Sequence, residues 1–389
     1  MPDICELCQS DALEAVYAPE GSLRGISVHI CGHCGLVQSL PRTDRAPRRA
    51  PAVSGGADWG NVRYGKGFRT KIAAEAVLRH KNPSTSISLL DVGSNRGSFA
   101  RALLDAAPLA DIVAVEPDPR VAQSCAGLER TSLLAARIED AALETGRFDV
   151  VHSCHTIEHL AHPASVLADH RRTLKDDGLL VLDAPNIALI GADDIVEEWF
   201  IDKHLTHFSQ RTLTRMVEAA GFALVEAPDH TDFSNLFLVA RKGAAQDAAD
   251  ADPDEVDRSY ALISDYIATR AHNLAALSHV ASELAALAPK GVAMWGAGRI
   301  FDSLVVHGRF DARALRLLID THLKAHVGER HGCVLSGPEA LVEAKPGVIV
   351  IMSRDFASEI EAEARKLAPS AEIIFYADLL CRARLRLAA

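Results

Sequence analysis

The sequence has no apolar run approaching the ~18–20 residues that a membrane span requires, so no transmembrane helix is expected. Its opening stretch, MPDICELCQS, has neither a basic segment nor an apolar one of the kind that marks a secretory signal, and a cytoplasmic protein is expected. Clustered cations are scarce as well. The net charge is −11 and the one short basic stretch, PRTDRAPRRA at 41–50, reads as a linker; a nucleic-acid partner is not expected, because phosphate binding needs clustered Lys and Arg. No internal repeat is present. What remains is the composition of an ordinary globular protein, 48% apolar and 24% charged. At 389 residues it exceeds a single core, and units of roughly 100–200 residues predict two to four domains.

Of eight cysteines, Cys5, Cys8, Cys31 and Cys34 form two C-x2-C pairs, while Cys125, Cys154, Cys333 and Cys381 are scattered. In a reducing compartment such pairs read as metal ligands rather than disulfides. Their separation by 22 residues suits a tetrahedral all-thiolate zinc site, structural because it leaves no position open for substrate. Residues 1–40 make up this unit, and the Pro-, Arg-, Gly- and Ala-rich stretch 41–57 reads as a linker with a boundary near residue 50.

From 66 to 241 helical and strand patterns alternate, which specifies a parallel sheet covered by helices on both faces. The periodicity predicts helices at 66–80, 97–106, 119–126, 163–174 and 210–220, and strands at 87–92, 112–116, 148–153, 178–183, 222–227 and 235–241. A small, polar, acidic stretch at 242–256 reads as a second linker, followed by one long amphipathic helix at 257–288. Strand patterns near 291–295, 315–319, 347–352 and 372–376 then predict a second, smaller Rossmann-like unit. The expected domains are therefore 1–50, 51–243 and 257–389.

The first strand of the central unit runs into the turn Asp91-Val92-Gly93-Ser94-Asn95-Arg96-Gly97. A dinucleotide turn needs G-x-G-x-x-G so that backbone can approach a pyrophosphate, and here glycine stands only at the first and last positions. The D-x-G-x-x-x-G pattern resembles instead the turn of class I S-adenosylmethionine methyltransferases, which wraps the amino-acid part of a cofactor without phosphate. Such a cofactor also needs an acid on its ribose, about 20 residues past the turn. Glu116, followed by Pro117, lies 19 residues after Gly97. Glu139 or Asp140 would stand near the adenine amine, and the stretch FDVVHSCHTIEHL at 148–160, with His155, resembles the fourth methyltransferase strand and its loop.

Two further stretches narrow the resemblance. CGHCGLVQSL at 31–40 is similar to the zinc-knuckle signature of three-domain sugar C-methyltransferases, and GSNRG resembles their G-S-N-D-G motif. The order of zinc unit, methyltransferase core, long helix and Rossmann-like C-terminal domain also fits. The resemblance thus implies an α/β fold: a class I methyltransferase Rossmann-like core with an N-terminal zinc knuckle and a smaller C-terminal Rossmann-like domain. It implies S-adenosylmethionine as cofactor, structural Zn2+, and methylation of a carbon of a nucleotide-linked keto-sugar, with a histidine removing the α-proton. A carbon acid of that kind needs a positioned base and a stabiliser for the enolate oxygen.

The family's Y-H-E-H-L-S-Y-F-S stretch reads here Ile201-Asp202-Lys203-His204-Leu205-Thr206-His207-Phe208-Ser209, which keeps one motif histidine as His204 and replaces the residues before it. The family's A-N-N-V-F-A-H-I and H-G-G-S-L-R-V stretches are replaced by Ser153–Leu160 and Asp232–Leu238. A wider pattern, Pro185-Asn186 through His204, His207 and Gly221-Phe222, resembles methyltransferases acting on oxygen or nitrogen, so O- or N-methylation of a sugar or related small molecule is the alternative. A non-catalytic cofactor-binding protein is a further one. The candidate catalytic residues are His204, oriented by Asp202, then His207 and Tyr64; His155 and His159 lie in loops at the carboxyl edge of the sheet. The resemblance gives Asp91, Gly93, Ser94, Asn95 and Gly97 to the methionine portion and Glu116 to the ribose. In the C-terminal unit Gly296-x-Gly298-x-x-Phe301, with Asp320 beyond it, is a nucleotide-type turn whose third glycine is lost to Phe301, which argues against NAD.

Overall fold

Adjacent residues of the central strands point to opposite faces, and that alternation organises the core. In the computed structural model, Leu90, Val113, Val151 and Leu180 share one buried cluster, while Leu89, Ile112, Val150 and Leu179 belong to another on the opposite face. Strands buried on both sides need apolar residues at every position, which is why these segments read as continuous apolar runs. The structure describes residues 3–20, 22–42, 66–118, 125, 127–191, 195–197, 199–229, 235–354 and 356–388.

The elements in chain order are β1 (Leu13–Tyr17), β2 (Ser27–Cys31), β3 (Val37–Leu40), α1 (Lys66–His80), β4 (Ser88–Val92), α2 (Ser98–Ala106), β5 (Asp111–Val115), β6 (Thr131–Leu134), β7 (Phe148–Cys154), α3 (Pro163–Thr173), β8 (Leu174–Pro185), β9 (Thr206–His207), α4 (Gln210–Ala219), β10 (Phe222–Asp229), β11 (Asn235–Lys242) and α5 (Pro253–Leu287). There follow β12 (Val292–Trp295), α6 (Arg299–Val306), β13 (Leu317–Ile319), β14 (Glu329–Arg330), β15 (Cys333–Ser336), α7 (Ala340–Ala344), β16 (Val348–Ile351), α8 (Ala357–Leu367), β17 (Glu372–Phe375) and α9 (Tyr376–Ala388).

Seven strands form the central sheet in the order β10-β11-β8-β7-β4-β5-β6. Strands β8, β7, β4, β5 and β6 are parallel, and β11 and β10 close one edge antiparallel. The order reverses between β4 and β7, the place where an open α/β sheet leaves a crevice at its carboxyl edge. A separate sheet of β1-β2-β3-β9 carries the four cysteines of the N-terminal pairs at its loops, and Cys5, Cys31 and Cys34 share a core with Leu90, Val151 and Leu213. Residues up to 46 accordingly form one unit with 65–190 and 198–264. A second unit, 265–389 with the short segment 191–197, holds the sheet β14-β15-β13-β12-β16-β17, whose order reverses between β12 and β16.

Several elements depart from the expectation. Residues 242–256 are not a free linker. Asp252 is buried and held by Arg211 and Arg215, and the guanidinium of Arg215 also donates to the carbonyls of Ala248 and Asp250. Asp252 accepts from the Glu255 amide at 3.3 Å, the cap that starts α5 at Pro253 rather than 257, with proline at a position whose missing N–H costs nothing. β8 begins at Leu174, because Leu174 pairs with Phe148 and Lys175 reaches Asp149 at 2.9 Å, although K-D-D-G reads as a turn. β6, β14 and β15 were not evident from periodicity, and the helix expected at 119–126 falls largely outside the described residues. No described helix is long and apolar enough to cross a membrane.

His170, on the buried face of α3, has no hydrogen-bond partner for Nδ1 among the described residues, and burial lowers its pKa to about 4. The unfolded chain therefore takes up this proton first as pH falls. The His170 contribution is constant above the unfolded value of about 6.5, declines between 6.5 and 4, and levels off below, a loss on the order of 3 kcal/mol. Urea midpoints measured from pH 7.5 to 4 should show that decline, and His170→Leu should flatten it.

Candidate active site

The site begins where β4 ends. Gly93 adopts φ +71°, and a Cβ there would lie 2.1 Å from Thr156 Oγ1, so neither the backbone nor the space admits a side chain. Gly97 at φ +73° starts α2 with a Cβ position 2.9 Å from Cys125 Sγ. Between them Asn95 is left-handed at φ +50°, a conformation asparagine tolerates better than most residues. The amides of Gly93 and Ser94 both donate to Val115 O, at 2.9 and 3.1 Å, tying the turn to the end of β5.

Glu116 follows directly. Its carboxylate accepts from the amides of Asn95 and Asp118, each at 3.0 Å, which fixes the acid at the tip of β5 against the turn. Carboxylates offer about four acceptor sites, so an acid held this way can also take a vicinal diol. Asp91 is buried; its Oδ1 meets His152 Nδ1 at 2.8 Å, and its Oδ2 has no partner among the described residues. His152 is in turn stacked on Phe99 at 3.7 Å. A buried carboxylate oxygen without a donor suits a cationic group such as an ammonium. Pro117 is exposed beside Glu116, and Glu139 lies on a short helical turn, Ile138–Asp140, paired with Arg137 at 2.8 Å.

Across the switch point, the loop after β7 carries the polar side chains. His155, at φ +48°, places Nε2 2.6 Å from Asn235 Oδ1 and 3.8 Å from Asp183 Oδ1. Burial raises Asp183 to about 7, and the Cys154 thiol donates to its Oδ2 at 3.5 Å. Glu158 is 2% exposed, neither of its oxygens has a hydrogen-bond partner among the described residues, and burial raises its pKa to about 8. His155 Nδ1 and His159 Nε2 stand 3.5 and 3.6 Å from Glu158 Oε1.

His204 reaches the same place from the segment before β9. Its Nδ1 donates to Trp199 O at 2.9 Å, its ring lies 5.0 Å from that of His159, and burial holds its pKa well below the ordinary value. Asp202 does not orient it: the Asp202 carboxylate accepts from Ser22 Oγ at 2.5 Å and Leu23 N at 3.0 Å. His207 points elsewhere too. It sits buried in β9 with Nε2 2.9 Å from Ser39 Oγ and a pKa lowered to about 3 by burial, so this histidine ties two strands together rather than facing a ligand. Tyr64 lies outside the described residues. Glu158, Asp183 and Asn235 carry no glycine or cysteine spacing to betray them; Glu158-His159 reads in sequence as a packing pair.

The four N-terminal thiols converge. Cys5 and Cys34 Sγ are 3.5 Å apart, Cys8 and Cys31 3.6 Å, and all four lie within 4.8 Å. Sulfurs at ~2.3 Å from a tetrahedral ion stand about 3.8 Å apart, so the set fits zinc. Gly35 beside them, at φ +76°, lets Glu255 approach to 2.6 Å of its Cβ position, while Ser259 Oγ donates to Gly35 O at 2.7 Å. In the second unit Gly296, at φ +115°, leaves room for Met352 O, Ala297 N donates to Asp320 Oδ2 at 3.0 Å, and Phe301 lies on the buried face of α6.

Residues 66–227 match a family model described as a methyltransferase domain. No curated protein matches the chain significantly. Among solved structures, the complex between the Haloferax volcanii Trm112 methyltransferase activator and a methyltransferase is 17% identical, with a TM-score of 0.40 over 49% of this chain and 97% of that one. A Listeria monocytogenes S-adenosylmethionine-dependent methyltransferase gives 14% identity and 0.37 over 46% and 99%; one from Mesorhizobium loti gives 15% and 0.36 over 44% and 100%. With the strand order of the central sheet and the family match in hand, the α/β core of this protein is a class I methyltransferase core, and the protein is a methyltransferase enzyme.

Proposed function

We propose that the enzyme transfers a methyl group from S-adenosylmethionine to a nucleotide-linked keto-sugar, at a carbon next to the ketone. The observation that carries the cofactor is the Glu116 carboxylate, fixed at the strand tip by the amide of the turn residue Asn95. In this reading Glu116 holds the ribose hydroxyls, the turn from Gly93 to Gly97 wraps the methionine portion, and Asp91 Oδ2 meets its ammonium. Ser94 and Asn95 belong to that turn, His155 precedes the Thr156 that packs on Gly93, and Glu139 takes the adenine amine. When bound, the cofactor supplies an electrophilic methyl on a sulfonium.

His204 is the base. The bond from Nδ1 to Trp199 O leaves the lone pair on Nε2, and the neighbouring Glu158 carboxyl, when ionised, stabilises the imidazolium formed on taking up the α-proton. The keto-sugar itself rests on the resemblance of the cysteine and GSNRG motifs. Methylation at oxygen or nitrogen is the second reading, favoured by Asp202 being engaged with Ser22 instead of supporting His204, because a heteroatom needs less help than a carbon acid. The four cysteines hold structural zinc, which stiffens a loop set that shares its core with the central sheet.

Calorimetry should show Glu116→Ala weakening S-adenosylhomocysteine binding roughly 30-fold, the loss of a charge-assisted contact; unchanged affinity overturns the cofactor reading. Incubation of a keto-sugar nucleotide in D2O without cofactor should give exchange at the α-carbon in wild type and none in His204→Gln. Absence of exchange, with turnover retained, selects the heteroatom reading. Elemental analysis should find one zinc per chain that survives mild chelation in wild type and is lost in Cys31→Ser, with a Tm decrease of roughly 10 °C.

A further inference from the structure

Glu158, His159 and His204 each bring a metal-ligating atom to one point. Each contributes an atom within 4.8 Å of the others, and Glu158 Oε1 stands 3.6 Å from His159 Nε2. Both histidines are held in one tautomer from behind: His159 Nδ1 donates to Lys203 O at 3.0 Å, and His204 Nδ1 to Trp199 O at 2.9 Å. A carbonyl can only accept, so each Nδ1 carries the proton and each Nε2 of a neutral ring presents its lone pair. Glu158 is 2% exposed, and neither of its oxygens receives a hydrogen bond from a described residue. A buried carboxylate without a hydrogen bond is costly, and His155 Nδ1 at 3.5 Å from Oε1 together with the charge of Arg69 offsets that cost only in part.

One kind of ligand satisfies all three at once. A histidine whose far nitrogen donates to a backbone carbonyl is the usual support of a metal-binding imidazole. Two imidazole nitrogens and one carboxylate form the set that first-row divalent ions occupy with further positions open. Adjacent ligand atoms about 2.1 Å from such an ion lie roughly 3–3.5 Å apart, so this cluster needs only small side-chain movements to close. We propose that Glu158, His159 and His204 form a second metal site, distinct from the four thiolates, which takes a divalent transition ion such as Mn2+, Fe2+ or Co2+ and leaves positions open for oxygen atoms of the methyl acceptor. The mixed nitrogen and oxygen set disfavours Mg2+ and Ca2+, which prefer oxygen alone.

The inference rests on reading this face as the acceptor side of the methyltransferase. A ketone or hydroxyl bound to the ion is polarised by it, which acidifies the neighbouring C–H or the O–H itself. His204 Nε2 cannot both hold the ion and take the proton. On this inference His204 is a ligand in place of the base role given above, and the acceptor proton acidified by the ion leaves to water.

Full-length protein carrying one zinc equivalent per chain and freed of excess zinc, titrated with Mn2+ and followed by the loss of free-ion electron paramagnetic resonance signal, tests the site without turnover. Manganese does not displace zinc from thiolates, so signal loss reports the second site. One equivalent is expected to bind wild type, and Glu158→Gln or His159→Asn to raise Kd at least tenfold while zinc content and the circular dichroism spectrum stay unchanged. Co2+ added to zinc-replete protein should give visible bands lacking thiolate charge transfer. No equivalent bound by wild type, for Mn2+ and Co2+ alike, overturns the site whatever the variants do. Unchanged Kd in both folded variants also overturns it. Because S-adenosylhomocysteine affinity is measured separately, the metal site and the cofactor reading can fail independently.

Discussion

Everything at the functional end of this protein depends on the reversal of strand order between β4 and β7. Chains leaving two adjacent parallel strands in opposite directions cannot fill the space between them, and a crevice opens at their carboxyl ends. The turn after β4 and the loop after β7 meet there. Their contact is close enough that Gly93 has no room for a Cβ beside Thr156, so the two halves of the site are set by one backbone approach.

The two sides of that crevice are built differently. On the β4–β5 side the groups are backbone amides and a carboxylate that fix one another, Glu116 against Asn95 and Asp118. The β7–β8 side gathers titratable side chains: Glu158, Asp183 and His204, whose ionisation burial shifts, and the more exposed His155 and His159. The proposed function uses this division, with the cradle for the cofactor and the titratable cluster for the acceptor. The cysteine sheet supports the second side physically. Strand β9 pairs with β3, and the buried bond from His207 to Ser39 anchors the segment that delivers His204.

Legibility in the sequence followed the range of the interactions. Helix α1 at Lys66–His80 and the strands around Leu89, Val113 and Leu180 came directly from periodicity, since burial on one or both faces writes itself into consecutive residues. The glycine turn and Glu116 were legible because steric demand and an acid at a fixed interval are local signals. By contrast, 242–256 reads as a linker because its small acidic residues carry no pattern, and only Arg211 and Arg215 in the fold give Asp252 a reason to be buried. Asp202 was read as the partner of His204 from proximity in the chain, yet its carboxylate turns to Ser22, some 180 positions away in sequence.

The sequence by itself determined the local elements, the thiol pairs and the phosphate-free turn, because each follows from spacing along one stretch of chain. Tertiary structure alone decided which side chains of the acceptor face meet. Glu158, His159 and His204 come from segments on either side of β8 and converge only when the sheet stacks their loops at one edge. Whether a buried carboxylate finds a donor is settled by neighbours the chain brings in from a distance, and no pattern of adjacent residues records it.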